Sequence, residues 1–198
     1  QVSTCLLVFA HLADATAALP ALVEAGLATI ELLDAASLRV AQRDHEAPDD
    51  LRALEVIDHA ALLVEFQEAT PGDLIAREKA AAGLFERLPL TSAAAMTTGP
   101  VTRAQLWHIR KGLFTTVAEA RPSGPNALLE DIAVPVARPG EKCDRPIQLF
   151  DKHGSAGSVI FGPAKDGHIP FLVTERLAAP KTHAPHPASP PAMVAPLL

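Results

Sequence analysis

Short apolar runs alternate with helix-compatible segments over the first 98 residues, and this alternation limits the folds open to the chain. Four runs have the composition of strands: Ser3–Ala10, Ala28–Leu33, Ala61–Gln67 and Thr91–Thr98. One helix is predicted between the first two runs and one between the last two, and two weak helices, Ala35–Ala41 and Asp50–Ile57, are predicted between the second and third runs. Two such β-α-β halves predict an α+β fold, a ferredoxin-like antiparallel sheet with helices packed on one face.

The two connecting helices carry recognisable start and stop signals. The first is predicted to begin at Asp14 or Thr16 and to end at Gly26, with Pro20 tolerable only near the first turn. The second follows the stretch Thr70–Asp73, which combines an N-cap residue, a proline at the first helical position and an early carboxylate. Both signals support the β-α-β interpretation.

A long helix, an extended segment and an irregular tail are predicted next. Thr102–Gln105 has a capping-box pattern, which predicts a helix from Arg103 to about Ala120. Ala127–Val136 reads as extended chain. Residues 176–198 are rich in proline and predict an irregular tail, so residues 1–175 are assigned to one domain.

The stretch Val159–Val173, VIFGPAKDGHIPFLV, is a hairpin candidate. Two strand-forming runs flank an Asp-Gly pair, and glycine takes a positive φ without a steric penalty. The bend would concentrate Lys165, Asp166 and His168 on a rigid support.

Composition excludes several classes of function. The 198-residue chain is 48% hydrophobic and 20% charged, as expected of a globular protein, and its net charge of -6 argues against nucleic-acid and anionic-lipid surfaces. Cys5 and Cys143 lack metal-ligand spacing and make a disulfide framework improbable, which favours a reducing compartment. The first apolar run is too short to span a membrane. Because the chain begins at Gln1, we interpret it as a fragment of a longer protein.

Four segments together resemble one family. They are LWHIRKGLF (Leu106–Phe114), RPSG (Arg121–Gly124), LLEDIAVPV (Leu128–Val136) and FGPAKDGHIPF (Phe161–Phe171). In this order they resemble the C-terminal domain of FAD-linked oxidases, which include D-lactate, glycolate and D-2-hydroxyglutarate dehydrogenases. The greatest similarity is to large bacterial flavoproteins with an iron–sulfur module downstream.

The resemblance implies that this chain is a substrate cap cut from its flavin domain. In that family a separate domain binds FAD, and the cap closes the substrate pocket over the flavin ring. The implied partners are a small 2-hydroxy acid, the missing flavin-binding domain and an iron–sulfur module. The implied location is the cytoplasm or the inner face of the membrane, without a transmembrane segment. As a fragment, the chain is expected to be catalytically inactive, since the flavin carries the redox chemistry.

Particular residues acquire candidate roles from the resemblance. Arg110 matches the arginine of the family helix, and a guanidinium can bind a substrate carboxylate bidentately. Lys165 and Asp166 are further candidates for substrate binding, although Asp166 also suits the turn itself. His168 is the candidate general base, because imidazole titrates near neutral pH. Glu130 and Asp131 open the family strand and are candidate cofactor-binding residues.

No metal ligand is predicted, because the chain departs from the family pattern at the hairpin. Pro163 and Pro170 stand where the family has histidines, and a proline side chain offers no ligand atom. A divalent metal site of the family type is therefore not expected. The prolines at 139, 146, 163 and 170 and the proline-rich tail are compatible with a native sequence, a frameshift or a decayed gene.

Two other functions are compatible with the residues. Ferredoxin-like sandwiches also serve as non-catalytic small-ligand sensors or dimerisation modules, since fold does not determine function. A degenerate domain without a site is the remaining alternative.

Overall fold

The computed structural model describes residues 1–120, 125–133, 159–165 and 168–176, with side chains within 1–111 and 159–165. Expectations for Asp166, for Cys143 and for the tail after residue 176 lie outside the described residues. The elements in chain order are β1 (Val2–Phe9), α1 (Leu12–Glu24), β2 (Thr29–Leu33), α2 (Ala35–Ala41), α3 (Asp49–Ala53), β3 (Ala60–Gln67), α4 (Pro71–Phe85), α5 (Pro100–Ala120), β4 (Pro125–Ala133), β5 (Val159–Pro163) and β6 (His168–Arg176).

The strands form an antiparallel sheet in the order β1-β3-β2-β5-β6-β4. β3 lies between β1 and β2, which is the split β-α-β arrangement of a ferredoxin-like fold. The predicted α+β class and antiparallel sheet are therefore confirmed. β5 and β6 form the predicted antiparallel hairpin, with Ile160 opposite Phe171. β5 also pairs with β2 and so joins the hairpin to the first half of the chain.

The prediction of a strand at Thr91–Thr98 is wrong. The chain from Leu90 to Thr97 contacts the outer edge of β1 through isolated bridges, Thr4 with Thr97 and Phe9 with Leu90. The edge position agrees with the ferredoxin-like order, but the residues between the two bridges do not follow β1 in a continuous ladder. A short run of this composition cannot distinguish a strand from chain that touches the edge of a sheet at two points.

Helices cover both faces of the sheet, whereas the sequence predicted them on one. The larger core lies between one face and the helices α1 and α4, and the second lies between the other face and α2, α3 and α5. Strand side chains alternate between the two layers, so Leu62 of β3 enters the first core and Leu63 the second. The second helical layer is the one that carries the candidate site.

The helix α1 begins earlier than the sequence predicted. α1 begins at Leu12, so Asp14 and Thr16 lie inside the helix, and Thr16 donates its hydroxyl to the carbonyl of Leu12 at 3.1 Å. Pro20 also lies inside α1, away from the first turn. A helix-interior proline costs about 3 kcal/mol in lost hydrogen bonding and crowding, and burial of the neighbouring Leu19 and Leu22 offsets that cost. Tertiary packing thus overrides the local signal.

The long helix α5 begins at Pro100 rather than at the predicted capping box. Pro100 takes the first helical position, where a missing N–H has no consequence. The amide of Arg103 donates to the carbonyl of Gly99 at 3.0 Å, and the amide of Gly99 donates to Oγ1 of Thr97 at 3.1 Å. The helix start is therefore stabilised from residues upstream of Thr102.

Asp34 connects β5 to the first half of the sheet. Its carboxylate accepts the amide of Ser37 at 2.7 Å, which caps α2, and the amide of Ile160 at 2.8 Å. Burial raises the pKa of the Asp34 carboxyl above its ordinary value, and the backbone hydrogen bonds from Ser37 and Ile160 oppose that rise. Because β5 carries Phe161, this junction determines what the hairpin presents to α5.

Candidate functional site

One face of α5 is directed at the sheet with an unusual concentration of polar side chains. Arg103, Trp107 and Arg110 are spaced so that they lie on one side of a helix. Two carboxylates of the sheet, Glu65 of β3 and Glu31 of β2, contact these side chains and are only 9% and 8% exposed. A carboxylate buried to this degree requires a cation or several hydrogen-bond donors. The arrangement therefore consists of two carboxylates, each engaged by α5.

The Glu65 carboxylate joins β1, β3 and α5. Its Oε2 accepts the Thr4 hydroxyl at 2.8 Å, the Trp107 Nε1–H at 2.9 Å and Nη2 of Arg103 at 3.3 Å. Nε of Arg103 also donates to the Thr4 hydroxyl, at 3.0 Å. Every member of this group contacts another member, so the cluster fastens α5 to the sheet.

Arg110 is held by two elements of the sheet. Its Nε donates to Oε2 of Glu31 at 2.6 Å, and its Cζ lies 5.5 Å from the centroid of the Phe161 ring on β5. The Arg110 side chain is 22% exposed. A guanidinium in this position combines an ion pair with a cation–π contact. Arg110 is thus directed at the sheet and the hairpin strand rather than at the outer surface.

The remaining candidates of the hairpin are located in part. Lys165 follows β5, and its Nζ donates to the carbonyl of Ala28 at 3.2 Å. His168 is the first residue of β6 and pairs with Ala133 of β4. Asp166 and the side chain of His168 lie outside the described residues. Their roles stay predictions.

Glu130 and Asp131 do not open their strand. β4 begins at Pro125, so both residues lie well inside it, opposite Phe171 and Pro170 of β6. The prediction of their place in the strand is therefore wrong, because the backbone pairing with β6 starts at Pro125, five residues before Glu130. Their role toward a cofactor stays a prediction.

Sequence reasoning missed the two acidic partners of α5. Glu31 and Glu65 each interrupt an apolar run that was correctly predicted as a strand, and Arg103 was assigned only to a capping pattern. The available signal was the single carboxylate within each buried strand. Charged residues are almost never buried unless they are paired, so each one indicated a basic or hydrogen-bonding partner elsewhere in the chain.

Among the described residues, a cavity of about 730 Å³ has a lining that does not include Arg110. It lies against α4 and the segment that follows it, and Phe85, Leu90 and Met96 are among its lining residues. It contains none of the predicted site residues.

Within the described side chains, no three histidine, cysteine, aspartate or glutamate residues are grouped as metal ligands. Among the helices described here, none combines the length and the apolar character needed to cross a membrane.

Comparison with known proteins identifies the family. A sequence model of the family described as "FAD linked oxidases, C-terminal domain" matches residues 1–188. The chain belongs to this family. No curated protein matches the sequence itself.

Solved structures show the same fold at low sequence identity. Two structures of alkyldihydroxyacetonephosphate synthase, from different crystal forms, align with TM-scores of 0.66 and 0.69 at 13% and 12% identity. They cover 89% and 98% of this chain and 36% and 39% of their own. The 4-ethylphenol oxidase of Gulosibacter chungangensis, in complex with isoeugenol, aligns at 0.54 and 12% identity, over 88% of this chain and 39% of its own. This chain therefore spans less than half the length of these structures.

The cations that α5 directs at the sheet do not form a site for the phosphates of FAD. The sequence contains no glycine-rich segment of the kind that cradles a dinucleotide pyrophosphate. Arg103 and Arg110, the cations that face the sheet from α5, each contact a carboxylate. The family name implies FAD, and the groups that bind its phosphates are then expected in another domain.

Proposed function

We propose that this chain is the substrate-binding cap of an FAD-dependent oxidoreductase that oxidises a D-2-hydroxy acid. Membership of the FAD-linked oxidase family supports the flavin-dependent class. The finer proposal depends on one observation, the partly buried Arg110 guanidinium held between α5, β2 and the hairpin strand β5. A guanidinium matches a carboxylate in geometry and charge, and every 2-hydroxy acid carries a carboxylate next to the reacting carbon.

The proposed division of labour follows from the chemistry. When bound, FAD supplies the two-electron oxidant that accepts hydride from C2 of the substrate. Arg110 binds the substrate carboxylate and so determines which face of C2 is presented. An imidazole nitrogen of His168 accepts the hydroxyl proton, and the products are a 2-keto acid and reduced flavin. Lys165 and Asp166 are proposed as further contacts of the substrate.

The test uses the longer polypeptide that joins this domain to its flavin domain, with the isolated chain as comparison. The longer protein is expected to be yellow and to lose its visible flavin absorbance when D-lactate or D-2-hydroxyglutarate is added without oxygen. The isolated chain is expected to be colourless. Tight binding of unrelated amino acids, unaffected by Arg110→Ala, would instead identify a non-catalytic ligand-binding module.

Variants of α5 separate a carboxylate anchor from a general effect of charge. Arg110→Ala is expected to raise the dissociation constant of the hydroxy acid about 30-fold, the equivalent of roughly 2 kcal/mol for a charge-assisted hydrogen bond. Arg110→Lys should recover only part of this, because an ammonium cannot bind bidentately. Lys111→Ala, which removes a neighbouring exposed cation, is the matched control and should change the constant less than twofold.

The role of His168 has its own signature. A general base contributes about 10²–10⁴-fold to the rate, so His168→Gln should lower kcat by that order and leave the dissociation constant close to that of the wild type. An equal loss of affinity and rate would contradict proton transfer and indicate a binding role.

A further inference from the structure

Glu31 is the only charged residue of β2, a strand whose other members are Thr29, Ile30, Leu32 and Leu33. It faces the layer formed by α2, α3 and α5, because it alternates with Ile30 and Leu32 of the opposite core. Its one hydrogen-bond donor among the described side chains is Nε of Arg110, at 2.6 Å. A strand position of this kind would ordinarily hold an apolar residue. We therefore look to Arg110 to explain why a carboxylate occupies this strand position.

Phe161 provides a second constraint on the same guanidinium. β2 and β5 pair in a register that places Glu31 opposite Pro163 and Leu33 opposite Phe161, so the carboxylate and the ring come from neighbouring strands. Glu31 engages the Nε edge of the guanidinium, whereas the ring lies 5.5 Å from its Cζ. The hydrogen bond to Glu31 determines which edge of the guanidinium faces β2, and the contact with Phe161 limits where the guanidinium plane can lie. The Nη nitrogens are thereby given a defined direction.

We propose that Glu31 and Phe161 are positioning residues, which hold Arg110 in the orientation in which it binds the carboxylate of a 2-hydroxy acid. This inference rests on the proposed function of Arg110. It adds that the affinity depends on a carboxylate that does not itself touch the substrate. Preorganisation of this kind limits the side-chain entropy that a long arginine loses on binding.

The proposal makes a prediction opposite to that of simple electrostatics. A negative charge beside an anion-binding group repels the anion, so the loss of Glu31 should strengthen binding if charge alone matters. If Glu31 acts by orientation, its removal weakens binding despite the loss of repulsion. Glu31→Ala and Glu31→Gln separate the two effects, because glutamine keeps an acceptor oxygen and loses the charge.

The experiment measures equilibrium binding to the longer flavoprotein by calorimetry. Pyruvate and 2-oxoglutarate serve as ligands, since these keto acids have no C2 hydrogen to transfer. We expect Glu31→Ala to weaken binding about tenfold and Phe161→Leu, which retains most of the buried volume, about threefold. Glu31→Gln should bind as the wild type does or more tightly. In an Arg110→Ala background, Glu31→Ala should cause no further loss of affinity, because there is no guanidinium left to orient.

Glu65→Ala is the matched control, because it removes the other buried carboxylate that faces α5 and leaves the contacts of Arg110 in place. Its affinity for the keto acids should stay within twofold of the wild type. If Glu31→Ala does not fold, Glu31→Asp decides the matter, since it keeps the charge and withdraws the acceptor by one methylene. That variant should bind about threefold more weakly.

The outcomes distinguish the two levels of the proposal. If Arg110→Ala binds keto acids as the wild type does, the proposed function fails, and the positioning role fails with it. If Arg110→Ala weakens binding while Glu31→Ala, or Glu31→Asp in its place, does not, only the positioning role is overturned. An equal loss in Glu31→Ala and Glu65→Ala also overturns it, because that result indicates general loosening of the layer.

Discussion

Glu65→Ala is predicted to destabilise the domain by about 3 kcal/mol. The substitution leaves the Thr4 hydroxyl and the Trp107 indole N–H without their acceptor, at about 1 kcal/mol each for a buried unsatisfied group. It also unpairs Arg103, whose side chain is 26% exposed. Because water reaches that guanidinium, we add only about 1 kcal/mol for its lost partner. For a domain of this size the total corresponds to a decrease in Tm of roughly 6–12 °C.

Urea unfolding followed by tryptophan fluorescence measures this directly, because Trp107 is the only tryptophan in the chain. Glu65→Gln keeps one acceptor oxygen and should lose only about 1 kcal/mol. Glu55→Ala removes an exposed carboxylate and should change the free energy of unfolding by less than about 0.5 kcal/mol. If Glu65→Ala is no less stable than Glu55→Ala, the hydrogen bonds of Glu65 do not stabilise the layer and the reasoning is refuted.

Three further predictions concern the elements that support the site. Thr70→Ala removes the side-chain acceptor of the Asp73 amide at the start of α4, and thermal unfolding should show a loss of about 1 kcal/mol. Gly26→Ala places a Cβ at a residue with φ of 81° and 3.3 Å from Nη1 of Arg77, so a loss of about 1–2 kcal/mol is expected in the same assay. Burial raises the pKa of the Cys5 thiol to about 11 from 9.0, so its contribution to stability is complete below pH 9 and is lost as the pH rises towards 11. Urea midpoints across that range should fall less in Cys5→Ala than in the wild type.

Local signals were sufficient where one short segment carries all the information. The Thr70-Pro71 start of α4 and the stop at Gly26 depend on a few neighbouring residues, and both lie where the pattern predicted. The alternation of strands and helices was enough to predict the α+β class, because each strand needs only its own apolar run. The predicted start of α5 was wrong because the helix begins at Pro100, after Gly99, and not at the capping box. Both signals are local, and the sequence pattern did not show which of them starts the helix.

Errors arose where a distant part of the chain decides the local structure. The chain from Leu90 to Thr97 forms backbone bridges with β1 at its two ends, and its own sequence does not indicate the path between them. Pro20 remains in a helix because the leucines beside it are buried by the sheet. The helices α2 and α3 were predicted, but their position on the opposite face of the sheet was not, because short helices depend on packing rather than on propensity.

By itself the sequence determined the strands β1, β2 and β3 and the hairpin, because periodicity and turn chemistry are local properties, and the family resemblance added Arg110 of α5. Only the tertiary structure decided what that arginine meets. Glu31 lies 79 residues before Arg110, and Phe161 lies on a strand that reaches β2 across the sheet. A charged residue within a buried strand indicates that a partner exists elsewhere in the chain. Which residue becomes that partner depends on strand register and helix placement, and these arise only when the layers pack.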